Sequence, residues 1–154
     1  MAEINFFLED INFTLRNKPQ LRSWLGKIAK QEGAKISSLN YVFCSDEYLF
    51  DLNVRYLKHK TLTDIITFDN SDNPLTLDGD VFISIDRVAD NASIHGNPFS
   101  LELRRVMVHG LLHLLGYNDK TKEQKALMRI KEDECLQSFV PRGTTKASRS
   151  KRST

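Results

Sequence analysis

The sequence predicts a single α+β domain in which a mixed sheet of about four strands packs against helices, with the chemistry on a late helix. Three observations lead there. Short β-branched and aromatic runs interleave with stretches of three- to four-residue apolar period, but the order never settles into a β-α-β repeat. The 154 residues suffice for one domain with a substantial core and require no second. Two histidines, His109 and His113, sit four apart in the apolar run V-M-V-H-G-L-L-H-L-L-G-Y-N-D, close to the C-terminal end.

Residues 4–9 alternate as a strand should, and residues 13–15 do so more briefly. Asn17-Lys18-Pro19 then opens a helix that runs to Glu32 and stops before Gly33, with Trp24, Leu25 and Ile28 as its buried stripe. Residues 39–44 read as a buried strand, and Ser45-Asp46 caps a second helix carrying Leu49, Leu52 and Tyr56. Residues 63–69 are β-branched and aromatic, hence strand; 70–77 form a polar loop; Gly79-Asp80 leads into a strand over 81–85. Asp86 is expected to cap a helix reaching about His95, where Gly96-Asn97-Pro98 ends it. Ser100 is expected to cap the next helix, which turns Leu103, Val106, Met107 and residues 110–115 inward. Residues 121–139 form the last helix, with Ala126, Leu127, Ile130 and Leu136 on its apolar side and Glu132 and Glu134 facing water.

Charge divides the chain unevenly. Of its 22 lysines and arginines, five (Arg142, Lys146, Arg149, Lys151 and Arg152) fall in residues 141–154, which hold no acid. That leaves 17 basic against 20 acidic side chains in residues 1–140, a slightly acidic folded body followed by a basic tail expected to be disordered. Cys44 and Cys135 lack C-x-x-C spacing, which favours free buried thiols in a reducing cytoplasm. The start, Met1-Ala2-Glu3, is unlike a signal peptide, and no apolar run has membrane length.

On a helix, His109 and His113 leave the same face one turn apart, close enough to share an ion. Gly116 can stop that helix in the left-handed conformation and turn the chain so that Asp119 returns toward both rings. The spacing H-x(3)-H-x(2)-G-x(2)-D is that of a metzincin-type metal helix with two changes, Gly110 for the usual glutamate and Asp119 for the last histidine. The bland alternative is a pair of boundary histidines and an aspartate that caps the last helix. Against it stands the apolar setting, Val106, Val108, Leu111, Leu112, Leu114 and Leu115, in which unpaired imidazoles are costly. His59 and His95 lie in polar surroundings and read as solvated rather than ligating. Thr63 and Asp64 read on their own terms as turn residues.

The missing glutamate bears on the chemistry. In H-E-x-x-H peptidases that glutamate takes a proton, and Gly110 has no side chain to do so. Metal-assisted phosphodiester cleavage demands less of that position, and three protein ligands leave a coordination place open for substrate. Zinc is the default ion, although two histidines and a carboxylate also suit iron(II), manganese or nickel.

H-G-L-L-H-L-L-G-Y resembles the signature of the YbeY family, bacterial metal-dependent endoribonucleases. The likeness extends to Leu52-Asn53, Tyr56, T-D-I-I-T-F at 63–68, G-D-V-F-I-S at 79–84, Glu102-Leu103, Met128, Glu132 and Glu134. The resemblance implies a zincin-like fold, with His109, His113 and Asp119 as catalytic metal ligands and Thr63 and Asp64 bordering a substrate cleft. It also implies action on single-stranded RNA in maturation of the 16S rRNA 3′ end and ribosome quality control, with the small ribosomal subunit as a partner. Two departures stand out. The family's G-Y-D-H becomes Gly116-Tyr117-Asn118-Asp119, passing the third ligand role to Asp119, and the family's arginine after the tyrosine becomes Leu57, with Arg55, Lys58, His59 and Lys60 nearby. Two other readings remain, a hydrolase of another substrate on the same frame and a ribosome-assembly protein with a structural ion.

Overall fold

The computed structural model describes residues 3–57 and 63–141. The basic tail from residue 142 onward and the segment containing His59 lie outside the described residues. The elements follow in the order β1 (Glu3–Leu8), α1 (Lys18–Gln31), β2 (Lys35–Cys44), α2 (Asp46–Leu52), a π-helical turn (Asn53–Leu57), β3 (Ile65–Asp69), β4 (Thr76–Ser84), α3 (Ile85–His95), α4 (Phe99–Leu114) and α5 (Lys122–Gln137). The sheet order is β1-β2-β4-β3, with β1, β2 and β4 parallel and β3 antiparallel on β4. The fold is thus a single α+β domain on a four-stranded mixed sheet, as expected. No helix among the described residues is long and apolar enough to cross a membrane.

Helix α4 lies at the centre of the packing. Met107, Leu111 and Leu112 are fully buried, and Gly110 faces the sheet so closely that a Cβ built there would stand 2.7 Å from Val81 and 2.9 Å from Ile65. Burial of each large side chain contributes about 1.5–3 kcal/mol. The Tyr41 hydroxyl of β2 donates to the Met107 carbonyl at 2.8 Å, tying α4 to the middle strand. The Trp24 indole N–H of α1 donates to the Cys135 carbonyl of α5 at 2.7 Å, joining the two outer helices. Cys44 and Cys135 are free and buried, and burial pushes their thiols up to about 12 and about 11, so both are held in the unreactive form.

Several local expectations change. Residues 13–15 form no strand; Phe13 and Leu15 pack their side chains against the core from an irregular segment. Helix α3 is capped by Ser84, whose Oγ accepts from the Arg87 amide, while Asp86 accepts from the Asp46 amide and so links α3 to α2. Ser100 does not cap α4, which begins behind Pro98 without a side-chain cap. The second helix ends sooner than expected and passes into the π-helical turn at Asn53, which carries Tyr56 at the surface. β4 begins at Thr76, so the loop expected over 70–77 is shorter.

The largest correction concerns α5. Its inward column is Met128, Glu132 and Cys135, while Leu127 and Ile130 are 54% and 56% exposed. Apolar residues alone misplace this face because one of its inward positions carries a carboxylate, and Glu132 is therefore buried rather than facing water.

Candidate metal centre

The site is built where α4 ends. Gly116, at φ 104°, adopts the left-handed conformation; its amide donates to the His113 carbonyl and the Tyr117 amide to the Leu112 carbonyl, a Schellman closure. Tyr117 fixes the reversal by donating its hydroxyl to Glu32 at the end of α1, at 2.7 Å. The chain then brings Asp119 back over the last turn of α4. Thr121, in a reciprocal capping box with Gln124, caps α5, so Asp119 is not the cap.

Three donor atoms converge. The Nε2 atoms of His109 and His113 are 3.0 Å apart, and Asp119 Oδ2 lies 3.3 Å from the first and 3.4 Å from the second. Ligands held about 2.0 Å from a tetrahedral ion are separated from one another by about 3.3 Å, so these residues fit a single divalent ion without rearrangement. Two imidazoles and one carboxylate are also a donor set that zinc and its first-row neighbours accept.

Behind the three candidate donors stands a supporting pair that sequence reasoning missed. Glu132 accepts from His109 Nδ1 at 2.6 Å, which leaves Nε2 of the neutral ring with its lone pair toward the other donors. Arg105 donates to Glu132 at 2.9 Å and to Asp133 at 2.7 Å, holding the carboxylate in place. Burial works against a charge on His109, but the hydrogen bond and charge of Glu132, with Asp119 and Asp64, outweigh it and raise the imidazole above its ordinary value. The available signal was the column Met128, Glu132, Cys135 and Phe139, where a lone carboxylate recurs at helical spacing among apolar residues.

Two hollows meet at the ligands. One, of about 350 Å³, lies between α3, α4 and α5 and is lined in part by Asn91, His95, Arg105, Lys125 and Arg129. The other, of about 400 Å³, is lined by Asn53, Leu57, Thr63 and residues 65–67. Asp64, His109 and Asp119 border both. Burial raises the Asp64 carboxyl, and its main-chain carbonyl accepts from the Ser84 amide. Thr63 closes its own turn by donating to the Ile65 carbonyl at 3.2 Å and also lines the second hollow. Arg55 is exposed, with its guanidinium 6.0 Å from the Tyr56 ring centroid, and is not among the residues lining either hollow. His95 is half exposed beside buried Glu102, at 3.3 Å, and belongs to the wall rather than to the donor set.

Gly110 has a steric role beside its chemical one. Its Cα faces Val81 and Ile65, so a glutamate at that position would collide with the sheet.

The family model described as Endoribonuclease YbeY matches residues 3–140. The chain belongs to the YbeY family. Similar curated relatives include Endoribonuclease YbeY of Cytophaga hutchinsonii, 53% identical over 86% of this chain and 93% of that one. Another is Endoribonuclease YbeY of Amoebophilus asiaticus, 45% identical over 85% of this chain and 89% of its own. Among solved structures, the solution structure of TM1509 from Thermotoga maritima aligns with TM-score 0.62 and 24% identity over 87% of each chain, a likeness of fold. The YbeY match spans every element that builds the centre, from α1, which anchors Tyr117, to α5, which carries Glu132.

Proposed function

We propose that this chain is a metal-dependent endoribonuclease that cuts single-stranded segments of precursor rRNA, acting in the cytoplasm in maturation of the 16S 3′ end on the small ribosomal subunit. The observation that carries the reading is the convergence of His109, His113 and Asp119 at tetrahedral-ligand separations, at the junction of two hollows. Membership of a family whose relatives are named endoribonucleases supports RNA as substrate.

In this reading His109, His113 and Asp119 hold one zinc ion, and a bound ion supplies Lewis acidity at the phosphodiester. Glu132 keeps the His109 ring in register, and Arg105 keeps Glu132 in register. Asp64 borders both hollows beside the three donors and meets the bound strand there. Thr63 lines the path of the strand, and exposed Arg55 meets it outside the hollow. Peptide hydrolysis is disfavoured because no carboxylate takes the place of Gly110. Residues 1–140 form the catalytic domain in this reading, and the basic residues 141–154 add salt-sensitive phosphate contacts.

The test is elemental analysis of the purified protein, together with cleavage of a precursor rRNA before chelation, after it, and after zinc is restored. The expected result is bound zinc, loss of cleavage on chelation, and recovery on restoration. Cleavage that survives chelation, or that persists in His113→Ala, overturns the reading.

A further inference from the structure

We infer that Lys125 and Arg129 of α5 form a phosphate-binding subsite, which draws the RNA backbone into the hollow on the α5 side of the metal centre. The inference rests on the endoribonuclease reading and adds the path by which the strand enters or leaves.

Four residues apart on one helix, Lys125 and Arg129 project from the same face, and both line the α5-side hollow together with His109 and Asp119. Both are exposed. Four of the other charges on α5 are engaged, Glu132 and Asp133 by Arg105 and Lys131 by Glu32 and Glu134, and neither Lys122 nor Glu123 lines the hollow. Among the described residues, Lys125 and Arg129 take part in no ion pair or side-chain hydrogen bond.

Of the four acids lining the same hollow, Asp64, Glu102, Asp119 and Glu132, three face side chains of the protein. Glu102 meets His95 and Asn97, Glu132 meets His109 and Arg105, and Asp119 meets both ligand histidines. Arg105 offsets the charge of Glu132, whereas among the described residues no acid pairs with either of the two α5 cations. The second hollow differs in kind. Its described lining contains no lysine or arginine, and Leu57 contributes an aliphatic side chain there. Among the described residues, a polyanion that places one phosphate at the metal centre therefore finds unpaired cations on α5, while Leu57, Ile65 and Ile66 offer apolar surface suited to the face of a base.

The volume of about 350 Å³ falls at the lower end of the range that ligand sites occupy, so the α5 hollow suits a short stretch of backbone and not a duplex. Asn91 of α3 lines the same hollow and supplies an amide for hydrogen bonding to a ribose hydroxyl.

The experiment compares the full-length metal-loaded protein with K125A/R129A and with the charge-preserving K125R/R129K. Binding of a short single-stranded RNA is followed by fluorescence anisotropy across a salt series, and cleavage is measured under single-turnover conditions over a range of protein concentrations up to saturation, which gives both KM and the saturated rate. Removing one cation from a phosphate lowers the slope of log affinity against log salt by about 0.7, so the slope of the double alanine variant should be shallower by about 1.4. Its KM should rise several-fold at low salt, while its metal content and saturated cleavage rate stay at the parent values. K125R/R129K should keep the parent slope. An unchanged slope and KM in K125A/R129A, with the parent cleaving normally, overturns the subsite and leaves the enzyme reading intact. A parent that binds RNA with the predicted salt response but does not cleave it supports the subsite and overturns the endoribonuclease reading.

Discussion

Helices α4 and α5 are both 16 residues long and lie against each other across the candidate metal centre, yet they differ in what they turn inward. α4 buries an almost wholly apolar face and carries His109 and His113, the two candidate ligands, on its flank. α5 directs a carboxylate inward, between Met128 and Cys135, and leaves Leu127 and Ile130 to solvent. One helix presents the donors and the other fixes their orientation. Apolar periodicity therefore identifies the first helix correctly and misplaces the face of the second.

The largest stability effects should come from the shared interior. Leu111→Ala in α4 and Met128→Ala in α5 each remove a buried side chain and should cost about 2–5 kcal/mol in chemical denaturation. Comparable effects in the two helices would place α5 within the cooperative core. An effect confined to α4 would make α5 a peripheral addition.

Glu132→Gln sharpens the division of labour. It retains the size of the side chain but removes the charge that faces His109 and Arg105. Metal affinity should fall by about 10- to 100-fold in a competition titration, the usual effect of removing a partner behind a ligand histidine. Unchanged affinity would reduce Glu132 to a structural residue.

The same contact governs how the chelated protein responds to pH. The folded state raises the His109 imidazole above its ordinary 6.5, chiefly against burial and through Glu132. That contribution to stability is fully present below 6.5 and is lost as pH rises through the raised folded value. Melting of the chelated protein should therefore become easier across that window, and Glu132→Gln should flatten the trend. The smallest effect is expected on the outer face of α5. Leu127→Ser and Ile130→Ser should each change stability by about 0.5 kcal/mol or less, because both side chains are already exposed. A larger effect at either position would mean that a partner covers this face.

The two helices also show what a sequence can reveal. His109, His113, Gly116 and Asp119 were legible because each depends on local geometry: an i,i+4 pair, a left-handed glycine, and a chain reversal three residues long. Strands β1 and β2 and helix α1 were legible from period and from Pro19. Glu132 and Arg105 were not, because their contact joins residues 27 apart and a lone charge on a helix is ordinarily solvated. The sheet order β1-β2-β4-β3 depends on long-range pairing that no local pattern encodes. At Gly110 the sequence showed that a general base was missing, and the structure adds that the sheet leaves no room for one.

Everything proposed for this site requires that Asp119, brought back by the Gly116 turn, completes a three-donor set with the two histidines of α4. This requirement is tested most directly by titrating zinc against a competing chelator in the parent protein, in Asp119→Ala and in Asp119→His. Affinity should fall by orders of magnitude in Asp119→Ala, with the melting temperature of the chelated protein little changed, and Asp119→His should restore tight binding. Stoichiometric zinc of parent affinity in Asp119→Ala would contradict it.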